Sequence, residues 1–170
     1  MYEKRKNIRL IGYDYSSNGI YFITICTKER KRCLSEISVG EAALGLPLTE
    51  LTDIGKIVNE KIKKISQIYE NADVIKYVIM PDHIHMILFI SDFYDEMTGR
   101  PGAASPTKSV PLIINGLKTI STKQIGYSVW QRSYHDHIIR SEKELLHIYD
   151  YIDNNPINWA NNIFNQNIWR

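Results

Sequence analysis

Two apolar runs separated by one tight break constrain the fold of this chain more than any other feature. Val74-Ile75-Lys76-Tyr77-Val78-Ile79 and Met86-Ile87-Leu88-Phe89-Ile90 are rich in β-branched and aromatic residues, and Met80-Pro81-Asp82-His83-Ile84-His85 lies between them. Both runs read as strands, with Pro81-Asp82 as the punctuation. Side chains alternate faces along a strand, so His83 and His85 point the same way. Two neutral imidazoles on one rigid strand form half of a divalent-metal site. The same pair would equally decorate the solvent face of a sheet, so the remaining residues have to decide.

The chain has 170 residues, of which 44% are hydrophobic and 24% charged, a balance that predicts one soluble domain over 1–170 with a real core. No apolar run reaches membrane-spanning length, and Met1-Tyr2-Glu3-Lys4-Arg5-Lys6 lacks the apolar centre of a secretion signal. Cys26 and Cys33 are too few for a disulfide framework and lack zinc-ribbon spacing. A cytoplasmic protein is expected.

Net charge is only +2, but its distribution is uneven. Residues 1–32 carry Lys4, Arg5, Lys6, Arg9, Lys28, Arg30, Lys31 and Arg32 against Glu3, Asp14 and Glu29, with Tyr2, Tyr13, Tyr15, Tyr21 and Phe22 interleaved. Cations for phosphates and rings for bases suit a nucleic-acid strand, although a solvated terminus fits the same composition. The candidates for DNA contact are Arg5, Lys6, Arg9, Tyr13 and Arg30, joined further along by Lys118 and Arg132.

Residues 20–27 read as a buried strand, and 34–50 as a short strand or hairpin around Gly40 and Gly45-Leu46-Pro47. Thr52 is placed to cap an amphipathic helix with Ile54, Ile57, Val58, Ile62, Ile65 and Ile68 on one face. Residues 91–109 carry enough Gly, Pro and Ser to predict a flexible loop. Ser109 and Pro111 then open a helix to about Gln124, with Ile113, Ile114, Leu117 and Ile120 as its stripe. A strand is expected over 128–139. Ser141-Glu142-Lys143-Glu144 follows as a capping box for a helix ending near Asn155, where Pro156 stops it or opens the next turn. The tail from about 156 is expected to pack back as a short helix. This order predicts an α+β fold, with helices covering an antiparallel sheet.

The last of these helices holds the remaining chemistry. Tyr151 and Asn155 are four residues apart and share one face, while Leu145, Ile148 and Ile152 form a packing stripe. Docked by that stripe, the helix would aim Tyr151 and Asn155 at His83 and His85. An amide oxygen from Asn155 completes a His-His-Asn set suited to Mg²⁺ or Mn²⁺ on a phosphate. Tyr151 then supplies a nucleophile, its phenol assisted by charge stabilisation at that phosphate. Tyr149 projects to another face and is the lesser candidate. His135 and His137, with Asp136 between them, read as a structural hydrogen-bonded cluster rather than a second metal site.

Residues 78–85, Trp130-Gln131-Arg132-Ser133-Tyr134-His135-Asp136-His137-Ile138-Ile139-Arg140 and Tyr151-Ile152-Asp153-Asn154-Asn155-Pro156 closely resemble the single-tyrosine HUH transposases. The nearest likeness is to the branch associated with repetitive extragenic palindromes (REP). Gly12-Tyr13-Asp14-Tyr15, residues 21–27 and Gly99-Arg100-Pro101 share it, so the resemblance spans about residues 8–160. It implies a ferredoxin-like sheet, a metal pair at His83 and His85, a nucleophile at Tyr151 and a helical third ligand at Asn155. Insertion-sequence relatives have Gln at this last position; the shorter Asn155 ligates directly or through water. The implied reaction is nicking of single-stranded DNA beside a hairpin, leaving a 5′-phosphotyrosine and a 3′-OH that can be rejoined to another strand. The REP branch also implies a monomer rather than a homodimer, and the tail beyond Pro156 could cover a dimer surface. Two rivals are a DNA-binding protein that no longer cuts palindromic repeats, and a metal-dependent hydrolase that has no use for Tyr151.

Overall fold

Strict alternation in β1 (Gly19–Cys26) sends Tyr21, Ile23 and Ile25 to one face of a sheet and Ile20, Phe22 and Thr24 to the other. The computed structural model describes residues 18–39, 47–91, 94–95, 100–101 and 109–168, without the side chains of 39, 94, 95, 100, 101 and 162–168. A hairpin of β2 (Ser35–Val39) and β3 (Pro47–Leu51) follows β1, then α1 (Asp53–Lys63) and the single turn α2 (Ile65–Ile68). Next come β4 (Ala72–Ile79) and β5 (His83–Ile90), a two-residue pair β6 (Tyr94–Asp95) and β7 (Arg100–Pro101), then α3 (Val110–Ile125), β8 (His135–Ile139) and α4 (Glu142–Ile168). The main sheet is antiparallel in the order β4-β5-β1-β8. Setting aside the hairpin, this is a βαββαβ chain with its first strand between the third and the last. That is the ferredoxin-like topology that the resemblance implies.

The two faces of the sheet have different jobs. Tyr21, Ile23, Ile25, Ile84, Met86, Leu88 and Ile90 build the main core with Val58 and Ile62 of α1 and Ile113, Ile114 and Leu117 of α3. A smaller cluster on the other face joins Ile87 and Ile139 to Ile148 and Ile152 of α4, with Leu145 and Tyr149 at its edge. The stripe expected on α4 is the one that docks it. Thr52 caps α1 as expected: its hydroxyl accepts from the Gly55 amide at 3.1 Å and donates to the Cys33 carbonyl at 2.7 Å.

Several local expectations need correction. The strand predicted over 128–139 is confined to β8, apart from a lone bridge between Trp130 and Thr27. The carbonyls of Gln131 and Ser133, which a longer strand would pair, accept instead from the Lys118 ammonium at 3.0 and 2.9 Å. Pro156 neither stops α4 nor opens a new turn; it lies inside one helix, and the tail expected to pack back as a separate short helix continues α4 as far as Ile168. An interior proline costs roughly 3 kcal/mol. The burial of Ile152 and Ala160 on either side of it works against that cost. Ile68 and Ile120 are 53% and 38% exposed, and Ser121, one position after Ile120, is the fully buried residue. Its hydroxyl accepts from Trp130 Nε1 at 2.9 Å. Ser109 holds the N-cap position of α3 without a side-chain hydrogen bond.

The capping box is also altered. The Glu144 amide donates to Ser141 Oγ at 3.2 Å, but the Glu144 carboxylate accepts from the Arg140 amide at 2.8 Å, one residue before the expected partner. Its other oxygen meets His137 Nε2 at 2.6 Å. His137 therefore bonds to Glu144 and ties β8 to the start of α4, rather than joining a cluster around Asp136, whose Oδ1 is buried without a partner among the described residues. Apart from β6 and β7, most of the loop expected to be flexible lies outside the described residues, as do the turn around Gly40 and Gly45 and the arm over 1–17.

Candidate active site

Register decides what surrounds the histidines. In the β1–β5 pairing Thr24 stands opposite His85, Cys26 opposite His83 and Phe22 opposite Ile87. His83 and His85 emerge side by side on the α4 face, their ring centroids 4.5 Å apart. His83 Nδ1 lies 2.5 Å from Asp82 Oδ1. A carboxylate can only accept, so Nδ1 carries the proton and Nε2 keeps a lone pair. His85 Nδ1 lies 2.9 Å from Thr24 Oγ1, and its Nε2 faces the Tyr151 hydroxyl at 3.4 Å. Both rings are thus fixed through Nδ1, which leaves Nε2 for whatever enters the cleft.

Burial disfavours the charged imidazole at both positions. It is the main cause that lowers the His83 pKa, against the opposing pull of Asp82. For His85, burial and then the neighbouring His83 push the pKa down to about 3. Both rings are therefore neutral at physiological pH, the state in which an imidazole can bind a metal.

α4 supplies the opposite wall. Tyr151 is 43% exposed, its ring 5.2 Å from that of His85 and edge-on to Phe22 at 5.9 Å. Phe22 itself stacks on His85 at 5.2 Å. Asn155, one turn beyond Tyr151, is buried at the cleft wall, and its amide has no hydrogen-bond partner among the described residues. Tyr149 points elsewhere, its ring under the Lys76 ammonium at 4.8 Å, and Lys76 also pairs with Asp153 at 2.7 Å. Of the two, it is Tyr151 that faces the histidines. The cleft, about 470 Å³, is lined by Thr24, Arg30, Asp82, His83, His85, Tyr151, Asn155, Asn158 and Trp159.

The four residues singled out as candidate catalytic and ligand groups, His83, His85, Tyr151 and Asn155, meet in this one cleft. No three His, Cys, Asp or Glu side chains form a metal-binding group among the described residues; beside His83 and His85, Asn155 brings an amide to the cleft wall. Two neutral imidazoles with oriented rings and an unpartnered amide fit a hard or borderline divalent cation that keeps positions open for other oxygens.

The residues proposed to contact DNA fare less uniformly. Arg5, Lys6, Arg9 and Tyr13 lie outside the described residues. Arg30 is at the cleft. Arg132 is exposed and lines a separate hollow of about 330 Å³ with Lys123, Thr119 and Trp130. Lys118 is buried, its ammonium already donating to two carbonyls and its pKa lowered to about 8 by burial, so its charge serves the fold rather than an exposed contact. Sequence reasoning missed Thr24, Phe22, Asp82 and Trp159 as parts of the site. Only Asp82, adjacent to His83, carried a local signal.

No protein-family model matches the chain. An uncharacterised protein of Haemophilus influenzae is 34% identical over 168 residues, covering 91% of this chain and 89% of its own length. A second protein of that organism, assigned by inference as a REP-associated tyrosine transposase, is 26% identical over 148 residues, covering 85% of this chain and 73% of its own length. Among solved structures, a REP-associated tyrosine transposase bound to a REP hairpin superposes with a TM-score of 0.61 at 20% identity, over 94% of this chain and 75% of that one. That likeness establishes the shared fold.

Proposed function

Because the chain belongs to the REP-associated branch of the single-tyrosine HUH transposases, we propose that it nicks and rejoins single-stranded DNA beside a hairpin, with Tyr151 as nucleophile. The observation that carries this reading is the Tyr151 hydroxyl, 3.4 Å from His85 Nε2 in the cleft that also holds His83 and Asn155. Tyr151 is half-exposed, with its hydroxyl turned toward a fixed, neutral histidine. In the reaction, a bond forms from the Tyr151 oxygen to the scissile phosphorus as the bond from phosphorus to the 3′ oxygen breaks. The phenol gives up its proton to solvent and the departing 3′ oxygen takes one up. The 5′-phosphotyrosine keeps the energy of the broken ester, so attack by another 3′-OH rejoins DNA without ATP.

His83, His85 and Asn155 would hold Mg²⁺ or Mn²⁺, which when bound would supply positive charge near the phosphate. The chain's own residues prepare the site. Asp82 and Thr24 orient the two rings, burial keeps them neutral, and Phe22 supports both His85 and Tyr151. The partner in this reading is single-stranded DNA carrying a hairpin; the similar solved transposase is bound to a REP hairpin.

The test is to incubate the protein with an end-labelled hairpin oligonucleotide and Mn²⁺, or with chelator, and to run a denaturing gel. A labelled protein–DNA band that requires the metal is expected. Binding without any cut supports a silent DNA-binding protein, and cutting without an adduct supports a hydrolase using metal-activated water.

A further inference from the structure

Among the described residues, two that are not glycine have a left-handed backbone, and they are consecutive: Glu29 at φ 56° and Arg30 at φ 55°. Such residues cost on the order of 1–3 kcal/mol each and persist only where the surroundings over-determine them. Here they do. The Arg30 amide donates to the Thr27 carbonyl at 3.2 Å, the Lys31 amide to Lys28 at 3.1 Å, and Thr27 Oγ1 to the Lys31 carbonyl at 2.8 Å. The stems are pinned as well. The Thr27 amide donates to Asp82 at 2.9 Å, Lys28 to Val129 at 2.8 Å and Cys33 to Pro81 at 2.9 Å. The loop is therefore fastened to the same Pro81-Asp82 turn that introduces His83.

The outcome of that strain is the position of one side chain. Arg30 lines the cleft with His83, His85, Tyr151 and Asn155 and is 57% exposed there. Among the described residues its guanidinium has a single, long contact: Nη1 to Asp82 Oδ1 at 3.4 Å, on an oxygen already taken by His83. A guanidinium has five donors in a fixed fork that suits phosphate oxygens, and most of these are left over.

Building on the proposed function, we propose that Arg30 is a second catalytic residue. Its guanidinium binds a non-bridging oxygen of the phosphate attacked by Tyr151 and stabilises the negative charge that grows there in the transition state. The strained loop exists to hold that fork at the cleft rim before substrate arrives.

The test separates a phosphate contact from an indirect role through Asp82. Hairpin oligonucleotides with randomised single-stranded flanks are cut by the wild-type protein, and sequencing the products gives the cleavage position. One such oligonucleotide is then made with either the natural phosphate or a neutral methylphosphonate at that position. Arg30→Ala should slow adduct formation on the natural phosphate by roughly a hundredfold, while binding the uncut hairpin nearly as well. Arg30→Lys, which keeps a cation and perturbs the loop less, should fall between the two. On the methylphosphonate, which is neutral in the ground state and carries one negative charge fewer in the transition state, the defect should shrink to a few-fold. An equal defect on both substrates, or none on either, overturns the proposal while leaving Tyr151 in place. If the wild type forms no adduct on the natural phosphate, the proposed function falls and this role with it.

Discussion

His85 enters the folded protein neutral, and this has a consequence for stability at low pH. Burial holds its pKa near about 3, whereas the unfolded chain titrates near 6.5. Between these values the unfolded state binds a proton that the folded state refuses. Stability is therefore complete above pH 6.5 and falls as the pH drops through that window. From pH 6.5 to 5 the loss from this group is roughly 2 kcal/mol at most. Urea unfolding of metal-free protein at pH 7 and pH 5 checks this: His85→Gln should show a smaller drop than the wild type, and identical drops would mean His85 is not buried neutral. The partner on Nδ1 is a separate matter. Thr24→Val keeps the shape but removes the oxygen 2.9 Å from that nitrogen. An outer partner of this kind is typically worth about 10–100-fold in metal affinity or activity. Mn²⁺ titration of the folded variant should show weaker binding, and unchanged affinity would argue that Phe22 stacking alone orients the ring.

Some elements were legible because their signals are local. The two-residue period of β5 puts His83 and His85 together, and the four-residue spacing on α4 puts Tyr151 above Asn155. Thr24 was not legible, because it joins the site only through the β1–β5 register, across 61 residues of chain. Trp159 was missed for a different reason: Pro156 suggested a break, yet α4 continues and brings Trp159 to 5.9 Å from His83 and under Arg32. Propensity lost to burial there, as it did over 128–134, where Lys118 took the carbonyls of an expected strand. Gly55 shows the same lesson. In an exposed helix Gly→Ala would stabilise by up to about 1 kcal/mol. Here an added Cβ would lie 1.9 Å from the Leu34 carbonyl oxygen. Gly55→Ala should instead cost about 1–3 kcal/mol by overpacking, read as a lower urea midpoint. An unchanged or higher midpoint would mean α1 does not rest on Leu34.

At the scale of the whole molecule, the sheet divides structural work from chemical work. α1 and α3 seal one face with the main core, while α4 crosses the other and brings two pairs of side chains, distant from each other in sequence, into one cleft. The strained loop at Glu29-Arg30 and the ring of Trp159 border that cleft. Nothing in this arrangement requires Tyr151 for packing: removing one half-exposed hydroxyl should change stability by no more than about 0.5 kcal/mol. The decisive measurement is therefore to trap the adduct on a hairpin strand, digest it and locate the modified peptide by mass spectrometry, for wild type and Tyr151→Phe in parallel. The account predicts a nucleotide on the wild-type Tyr151 peptide, and a variant that folds and binds the hairpin yet forms no adduct. An adduct in Tyr151→Phe at the wild-type rate, on Tyr149 or any other residue, would contradict it.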